Sequence, residues 1–390
     1  MITFEEAKEI TLRAAKRLPA EKVPLQESRG RILAEDIHSD LDLPVQDLSA
    51  MDGFACRRSD LGAPLEIIET IPAGSMPKKS VGPGQCSRIM TGAAVPRGAD
   101  LVVMYEHTRE ENGMVTAEQK SGKTNIRRRA EDIKEGDCVL RAGTRIHAAE
   151  IAVLASVGCA SVPVSVAPLV GVIATGDELV EPGEKPDGAC IRNSNSYQLC
   201  AQIEQMNCRP RYFGIGGDKP EELDRLLKTA MAQCDVILLS GGVSMGDFDY
   251  VPDVLRRNNI ELLFEKVSVK PGKPTVFGLG RDTFLFGLPG NPVSTLVCFE
   301  MLVKPFLFQL LGHSLRPLTV RAKLEQDLKR KKAGRSEFVP VKLTPDGKVQ
   351  RLEYHGSGHI HAYTRANGVI YVPRGIESLA AGTGVDVILM

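Results

Sequence analysis

The sequence of 390 residues lacks an excess of either charge, because 49 lysines and arginines balance 49 aspartates and glutamates. A neutral chain has no overall field that would draw it to nucleic acid or to an anionic membrane. We therefore expect no nucleic-acid partner and no membrane partner. Any charged ligand has to be recognised by a local group of residues.

Paired cysteine motifs are also missing. The nine cysteines are scattered singly with no C-x-x-C pair, which argues against a zinc knuckle and against a secreted disulfide framework. The chain begins with an acidic, helical pattern and lacks the basic start and apolar core of a signal peptide. These absences predict a cytoplasmic protein.

The sequence has no clean membrane-spanning run. The longest stretch without charge, residues 151–176, reaches transmembrane length. Gly158, Pro163 and Pro168 interrupt it, and residues 162–166 alternate like a β-strand. This pattern excludes a spanning helix, and no low-complexity tract or internal repeat is evident.

The length predicts two to four domains. Thr3 and Glu6 form a capping box before an apolar helical pattern that continues to Leu18. We expect an α/β plus β protein with an inserted β domain and a small C-terminal β-barrel. The predicted domains are 1–44 plus 147–167 (helical linker), 45–146 (inserted, mostly β), 168–312 (α/β) and 313–390 (barrel).

Residues 168–312 repeat a rhythm of strand, loop and helix, which predicts a doubly wound, mostly parallel sheet. The stretch from Asp235 to Val251 is typical: a short apolar strand, adjacent glycines, then two carboxylates. A second stretch ends a strand at Leu288 and continues into a long apolar helix. Asn291 can cap that helix and Pro292 can occupy its first position.

Five polar loops follow predicted strands of this sheet. Carboxyl ends of parallel strands meet at one edge, so we expect the loops to line one crevice. Carboxylates there suit Mg²⁺, and lysines suit phosphate or another oxyanion. The loops are residues 175–178, 216–218, 241–249, 270–273 and 289–292, and their charged members are Asp177, Glu178, Asp218, Asp247, Asp249, Lys270 and Lys273.

Two other motifs leave alternatives open. Gly242 to Gly246 matches the G-x-S-x-G nucleophile elbow of a serine hydrolase around Ser244, although the candidate histidines lie at or beyond the end of the α/β segment. A basic cluster at Lys120, Lys123 and residues 127–129 is either a solvated face or an anion patch.

Several motifs in a fixed order are similar to the molybdopterin molybdenumtransferase family, the MoeA and gephyrin E-domain group. The resemblance covers nearly the whole length. The motifs are Ser49-Ala-Met-Asp-Gly-Phe-Ala55, Arg88-Ile-Met-Thr-Gly92, Asn125 to Ile133, Thr175-Gly-Asp-Glu-Leu179, Ser240 to Tyr250, Lys270-Pro-Gly-Lys-Pro274 and Leu288-Pro-Gly-Asn-Pro-Val-Ser294.

The resemblance implies an enzyme that inserts molybdenum from molybdate into adenylyl-molybdopterin in a Mg²⁺-dependent step and releases AMP. The dithiolene sulfurs of the pterin hold the metal, so the protein need not supply cysteines. It also implies a homodimer in which Asp52, Thr91 and Asp132 reach the partner's crevice. Molybdopterin adenylyltransferase and molybdoenzyme maturation factors are expected partners.

Site roles follow from the same resemblance. The expected catalytic residues are Glu178, Asp218, Asp249, Lys270, Lys273, Asp52 and Asp132. Glu178, Asp247 and Asp249 are the expected metal ligands. The expected substrate-binding residues are Thr91, Thr175, Gly176, Asp177, Ser194, Ser240, Gly241, Gly242, Ser244, Pro289, Gly290, Asn291, Pro292 and Ser357.

The chain departs from the family at Ala130, where a glycine is common, and at His361-Ala362-Tyr363, which replaces a stretch rich in serine and threonine. The alternatives to a molybdenumtransferase are an adenylyltransferase of the preceding step, a serine hydrolase using Ser244, and a non-enzymatic scaffold.

Overall fold

A computed structural model describes residues 1–117, 122–217, 219–243 and 250–390. These residues form two compact units. The first unit contains Met1–Ala34, Gly143–His147 and Pro163–Met390, and the second contains Glu35–Ala142 and Ala148–Val162. The four predicted domains divide the chain more finely and stay a prediction.

The helices agree with the apolar periodicity of the sequence. The predicted capping box at Thr3 is present, although the first helix ends at Ala14, before Leu18. The helices are α1 Phe4–Ala14, α2 Ala148–Ser156, α3 Asn195–Glu204, α4 Pro220–Met231, α5 Val251–Arg257, α6 Pro292–Cys298 and α7 Lys304–Leu310. Short 3₁₀ helices span Leu25–Glu27, Arg58–Asp60, Tyr105–His107 and Ile360–Thr364.

The first unit is built on a six-stranded sheet. Its strands are β1 Leu169–Thr175, β2 Arg209–Gly216, β3 Val236–Ser240, β4 Glu261–Phe264, β5 Val276–Leu279 and β6 Phe284–Leu288. Their spatial order is β2-β1-β3-β6-β5-β4. Strands β2, β1, β3 and β6 are parallel, whereas β5 runs antiparallel to both of its neighbours. This confirms the predicted mostly parallel sheet.

Side chains of each strand alternate between two hydrophobic cores. In β3, Val236 and Leu238 pack into the core that contains α3 and α6, and Ile237 and Leu239 pack into the core that contains α4 and α5. Both faces of the sheet are therefore covered by helices, which is why its central strands β1, β3 and β6 are apolar along most of their length.

Helices α6 and α7 are joined by a π-helical stretch, Phe299–Val303. Pro305 is the second residue of α7. A proline inside a helix removes one backbone donor, so the backbone bonding pattern has to shift there. The whole stretch Pro292–Leu310 is long and apolar enough to cross a membrane, but 78% of it is buried inside the protein. It is therefore accounted for as a core helix.

The C-terminal segment closes into the predicted small barrel, because Ser336–Leu343 pairs with two barrel neighbours. In spatial order the barrel strands are Ser336–Leu343, Lys348–Arg351, Thr319–Leu324, Gly384–Leu389 and Gly368–Val372. A two-residue strand, Val269–Lys270, adds to the first of these in parallel. The interior of the barrel is a separate apolar cluster that includes Val341, Val349 and Val387.

The second unit contains another six-stranded sheet, as the β pattern predicts. In spatial order its strands are Leu101–Met104, Gly53–Cys56, Gln85–Ile89, Pro64–Ile71, Met114–Ala117 and Thr108–Glu111. Two short ladders join Leu48–Ser49 to Ile126–Arg127 and Ile37–His38 to Cys138–Leu140. Among the described residues, further two-stranded pairs outside this sheet are Ala20–Pro24 with Ser161–Ser165, Leu179–Val180 with Ile191–Arg192, and Leu328–Lys329 with Ser378–Leu379.

Ala130 adopts a backbone conformation that favours glycine. Its φ is +59°, in the left-handed region that side chains avoid, and its backbone N–H donates to the carbonyl of Pro44 at 3.0 Å. The left-handed conformation costs an alanine about 1–2 kcal/mol. Glycine adopts it freely and would keep the same hydrogen bond.

We expect Ala130→Gly to raise the free energy of unfolding by about 0.5–1 kcal/mol, because relief of the strain exceeds the extra backbone entropy of glycine. The matched control is Ala152→Gly, an exposed position in α2, which should lower it by about 1 kcal/mol. Urea unfolding of the three proteins measures both changes. Destabilisation by both substitutions would contradict the strained backbone at Ala130.

Candidate functional site

A cavity of about 590 Å³ opens at the carboxyl edge of the central sheet. This is the edge at which open α/β sheets bind ligands. Its volume is in the range of cofactor and substrate sites. The lining residues are Thr175, Gly176, Glu178, Leu179, Ile191, Arg192, Asn193, Ser194, Asn195, Ser240, Gly241, Gly242, Val243, Pro274, Pro289, Gly290, Asn291, Pro292 and Gly358.

Two turns that follow neighbouring strands form the floor of this cavity. Ser240 ends β3 opposite Leu288 at the end of β6. The N–H of Gly241 then donates to the carbonyl of Leu288 at 3.1 Å. The turn after β3 and the turn that contains Gly290 therefore come together as a direct consequence of strand register.

Asn195, at the start of α3, ties these two turns together. Its side-chain amide donates to Ser240 Oγ at 2.9 Å and to the carbonyl of Gly290 at 2.7 Å. Asn195 is not among the residues predicted from the sequence. The run Asn193-Ser194-Asn195-Ser196, rich in helix-capping residue types, was the available signal.

Most predicted substrate-binding residues of the α/β segment line the cavity. Asp177 does not line it, and neither does Ser357, although the next residue, Gly358, does. The carbonyl of Ser357 accepts from the N–H of Val293 at 3.1 Å. The predicted residues that line it are Thr175, Gly176, Glu178, Ser194, Ser240, Gly241, Gly242, Pro289, Gly290, Asn291 and Pro292. Asp218, Ser244, Asp247 and Asp249 lie outside the described residues.

Asn291 differs from its predicted role. It occupies the N-cap position of α6, but its side chain makes no capping hydrogen bond there. The backbone carbonyl of Asn291 instead accepts from the N–H of Thr295 at 3.0 Å. The amide side chain lies at the cavity and is available to a ligand.

Charge in the cavity is sparse. Among the described lining residues, Glu178 is the single carboxylate and Arg192 the single cation. In the part of the chain that the structure describes, no three His, Cys, Asp or Glu side chains are grouped to hold a metal ion. Of the predicted metal ligands, Glu178 alone can be placed, and it supplies a hard oxygen donor of the kind that Mg²⁺ prefers.

The loop of Lys270 and Lys273 reaches this edge by another route than the one predicted. The loop precedes β5 instead of following a strand of the central sheet. Because β5 runs antiparallel to β6, the amino end of β5 lies beside the carboxyl end of β6. Pro274 lines the cavity, but neither lysine does. The ammonium of Lys270 instead forms an ion pair of 2.7 Å with Glu337 of the barrel.

The predicted residues of the second unit are engaged within that unit. The carboxylate of Asp52 accepts from the N–H and the hydroxyl of Thr91 at 2.6 and 3.0 Å. The hydrogen bond from the backbone N–H of Thr91, and to a lesser extent the one from its hydroxyl, lower the pKa of Asp52. The side chain therefore stays ionised in mildly acidic solution. Asp132 forms an ion pair with Arg127.

Each arginine of the basic cluster has an acidic partner. Besides the Arg127 pair, Arg128 pairs with Asp47 at 2.5 Å and Arg129 with Asp42 at 2.6 Å. The three side chains are roughly half exposed or more. This favours a solvated, internally neutralised face over an anion patch.

A doubly wound sheet with a polar, glycine-rich cavity at its carboxyl edge defines an α/β protein that binds a ligand at that edge. Three family models match this chain, and together they cover almost its whole length. They are the MoeA N-terminal region (domain I and II) over residues 2–158, a probable molybdopterin binding domain over 171–309, and the MoeA C-terminal region (domain IV) over 321–390.

Similar proteins agree with these models. A molybdopterin molybdenumtransferase of Staphylococcus epidermidis is 39% identical over 379 residues, covering 94% of this chain and 90% of the relative. One of Staphylococcus aureus is 36% identical over 403 residues, covering 100% and 95%. The structure of a molybdopterin biosynthesis MoeA protein from Pyrococcus horikoshii is 31% identical, with a TM-score of 0.88 and full coverage of both chains. The chain belongs to the MoeA family, which confirms the resemblance and the predicted fold class.

The turn after β3 yields a test of the cavity's geometry. Gly241 has a φ of +101°, and a Cβ there would lie 2.4 Å from the carbonyl oxygen of Thr175. We expect Gly241→Ala to lower the free energy of unfolding by about 2 kcal/mol or more, because it combines a clash with backbone strain.

Gly290→Ala is the matched control on the opposite turn. Its Cβ would meet its nearest neighbour, the Cα of Gly241, at an ordinary 3.6 Å, so we expect a change within about 0.5 kcal/mol. Thermal or urea unfolding compares the two. Equal stabilities for both variants would contradict the close approach at Gly241.

Proposed function

We propose that this protein is a molybdopterin molybdenumtransferase, which inserts molybdenum from molybdate into adenylyl-molybdopterin and releases AMP to form the molybdenum cofactor. The observation that carries the proposal is the similarity to proteins of that name along 90–95% of their length. The cavity supports it, because most of the residues expected to bind substrate line one site.

The cavity suits an organic substrate with hydrogen-bonding edges. Its lining combines backbone groups of glycine turns with the side chains of Ser194, Asn195 and Asn291. Such amides and hydroxyls donate and accept, as a pterin and a nucleotide base require. Few charges are present, so orientation depends on hydrogen bonds and shape.

The cysteines of the chain support a reaction in which the substrate supplies the sulfur ligands of molybdenum. None of the nine forms a disulfide bond, and no cysteine lines the cavity in the part of the chain that is described. Burial raises the pKa of Cys56, Cys86 and Cys208 to about 12 and that of Cys234 and Cys298 to about 11. These groups are protonated thiols at neutral pH, whereas metal ligation needs thiolate. Cysteines without disulfide bonds also agree with the reducing cytoplasm that we propose as its location.

Magnesium is part of this proposal. Glu178 fits as one ligand, because its carboxylate lies at the cavity edge, and the resemblance adds Asp247 and Asp249. A bound Mg²⁺ supplies charge neutralisation at a phosphate. The residues of the chain orient that phosphate and the organic substrate at the sheet edge.

The direct test is molybdate-dependent release of AMP from adenylyl-molybdopterin by the purified protein. We expect EDTA to abolish AMP release, because the charge of the phosphate is uncompensated without a metal ion. Added Mg²⁺ should restore the release of AMP. Glu178→Gln keeps the shape of the side chain and should lower kcat by about tenfold or more while raising the Mg²⁺ concentration needed for half-maximal rate.

The control in this assay is Glu300→Gln, a carboxylate that pairs with Lys304 in the helical core and should retain the magnesium response. Full activity of Glu178→Gln in EDTA would overturn the metal assignment. Adenylylation of molybdopterin from ATP, with no molybdate-dependent AMP release, would instead identify the adenylyltransferase of the preceding step.

We also propose a homodimer with shared active sites, in which Asp52, Thr91 and Asp132 of one chain complete the crevice of the other. The basis is family resemblance, together with the ionised, fixed carboxylate of Asp52. A two-fold dimer would hold two equivalent sites. The adenylyltransferase that makes the substrate and the maturation factors that accept the product are proposed partners.

Mixed dimers test this arrangement. Asp52→Asn keeps an oxygen that accepts from Thr91 but removes the charge. Asp249→Asn removes the charge of a carboxylate that the resemblance assigns to the crevice. Each variant should be nearly inactive alone. Random exchange should restore about one quarter of wild-type activity, because half of the dimers are mixed and one of their two sites is intact. Mass spectrometry verifies mixing, and mixed dimers without activity would contradict shared sites.

A further inference from the structure

Glu337 lies directly beside the predicted catalytic lysine of the KPGK loop. The strand Val269–Lys270 joins the barrel strand Ser336–Leu343 in parallel, and the register places Lys270 opposite Glu337. Their side chains form an ion pair with Nζ and Oε1 2.7 Å apart. The side chain of Glu337 is 11% exposed and that of Lys270 is 52% exposed, so the carboxylate is the fixed member of the pair.

Arg330 fixes this carboxylate from the other side. Its Nε donates to Glu337 Oε2 at 2.9 Å, and its side chain is 3% exposed. Its remaining donors bind the carbonyls of Pro373 and Ile376 at 2.9 and 3.0 Å, and the carbonyl of Arg335. The planar guanidinium is thus held by several acceptors, and the orientation of Glu337 follows from it.

Lys270 and Glu337 border a second cavity of about 350 Å³. Its other charged lining residues are all basic: Lys329, Arg330, Lys331, Arg351 and, when protonated, His355. Within the described part of the chain, Glu337 is therefore the single carboxylate that lines this cavity. It is also the group that decides where the ammonium of Lys270 lies.

The two cavities are lined by neighbouring residues of the same two loops. In the first loop, Pro274 lines the cavity of about 590 Å³ and Lys270 lines the cavity of about 350 Å³. In the second loop, Gly358 lines the former and Gly356 the latter. An ammonium held at Lys270 lies on the loop that separates a hydrogen-bonding pocket from a cationic one. A shift of that ammonium would change how a dianion is presented to the larger cavity.

We propose that Glu337 is a positioning residue for Lys270: together with Arg330 it holds the ammonium where the oxyanion substrate reacts. This inference rests on the proposed function, and neither Glu337 nor Arg330 was selected in the sequence analysis. Glu337 acts through Lys270 and is not itself in contact with substrate.

The charge of Glu337 gives its removal a distinctive signature. Glu337→Gln leaves the side chain's shape but releases Lys270, so kcat should fall about tenfold because alignment is lost. The same change removes a negative charge near a dianion, so the KM for molybdate should fall about threefold. The KM for adenylyl-molybdopterin should stay unchanged.

The experiment measures these constants in the wild type, Glu337→Gln, Lys270→Gln and the double variant. If Glu337 acts through Lys270, the double variant has the kcat of Lys270→Gln alone. Multiplicative losses in the double variant would overturn the proposal, as would unchanged kcat in Glu337→Gln. A structural defect would lower the active fraction and leave the KM for molybdate where it was.

The matched control is Glu300→Gln. Glu300 is also 11% exposed and forms a 2.7 Å pair with a lysine, Lys304, so its loss measures the effect of breaking such a pair elsewhere. It should show wild-type kcat and KM. Glu337→Asp, which keeps the charge but withdraws it by one methylene, should lower kcat without lowering the KM for molybdate.

A second readout does not depend on activity. Reductive methylation followed by mass spectrometry should label Lys270 several-fold faster in Glu337→Gln than in the wild type or in Glu300→Gln, because the ammonium is no longer held. Unchanged labelling would overturn the positioning role even in an active enzyme. Faster labelling in a chain that releases no AMP would support the ion pair while refuting the proposed function.

Discussion

The site depends on the parallel register of β3 and β6. Ser240 opposite Leu288 makes both strands end at the same level, so their two following turns meet. The hydrogen bond from Gly241 to Leu288 and the amide of Asn195 then close the floor of the cavity. If one of the two strands slipped by one residue, the turns would separate and the side chains of the slipped strand would point to the opposite core.

The barrel contributes to the site by strand addition. Its strand Ser336–Leu343 accepts Val269–Lys270 as a neighbour, and Arg335 donates to the carbonyl of Val269 at 3.1 Å. The lysine loop is thus anchored at one end by the barrel and at the other by β5. The short strand Val269–Lys270 gains its backbone partners in this way, and a carboxylate of the barrel gains contact with the loop.

Much of the site was predictable because its signals are local. Glycine pairs, a proline at the start of α6 and polar residues after apolar runs each mark a turn at the end of a strand, and the parallel topology brings such turns together. Asn195 and Glu337 were missed for a different reason. Their roles come from contacts with Gly290, 95 residues away, and with Lys270 across a barrel, and no short pattern encodes such distances.

The sequence by itself determined the element types, the doubly wound sheet, the barrel and the family, because periodicity and turn chemistry act over a few residues and because several motifs occur in a fixed order. Tertiary structure alone decided that β5 runs antiparallel, that this brings the lysine loop to the ligand edge from the amino end of a strand, and that Lys270 faces Glu337. Strand direction and register are set by packing between distant segments, so they become visible only when those segments are in contact.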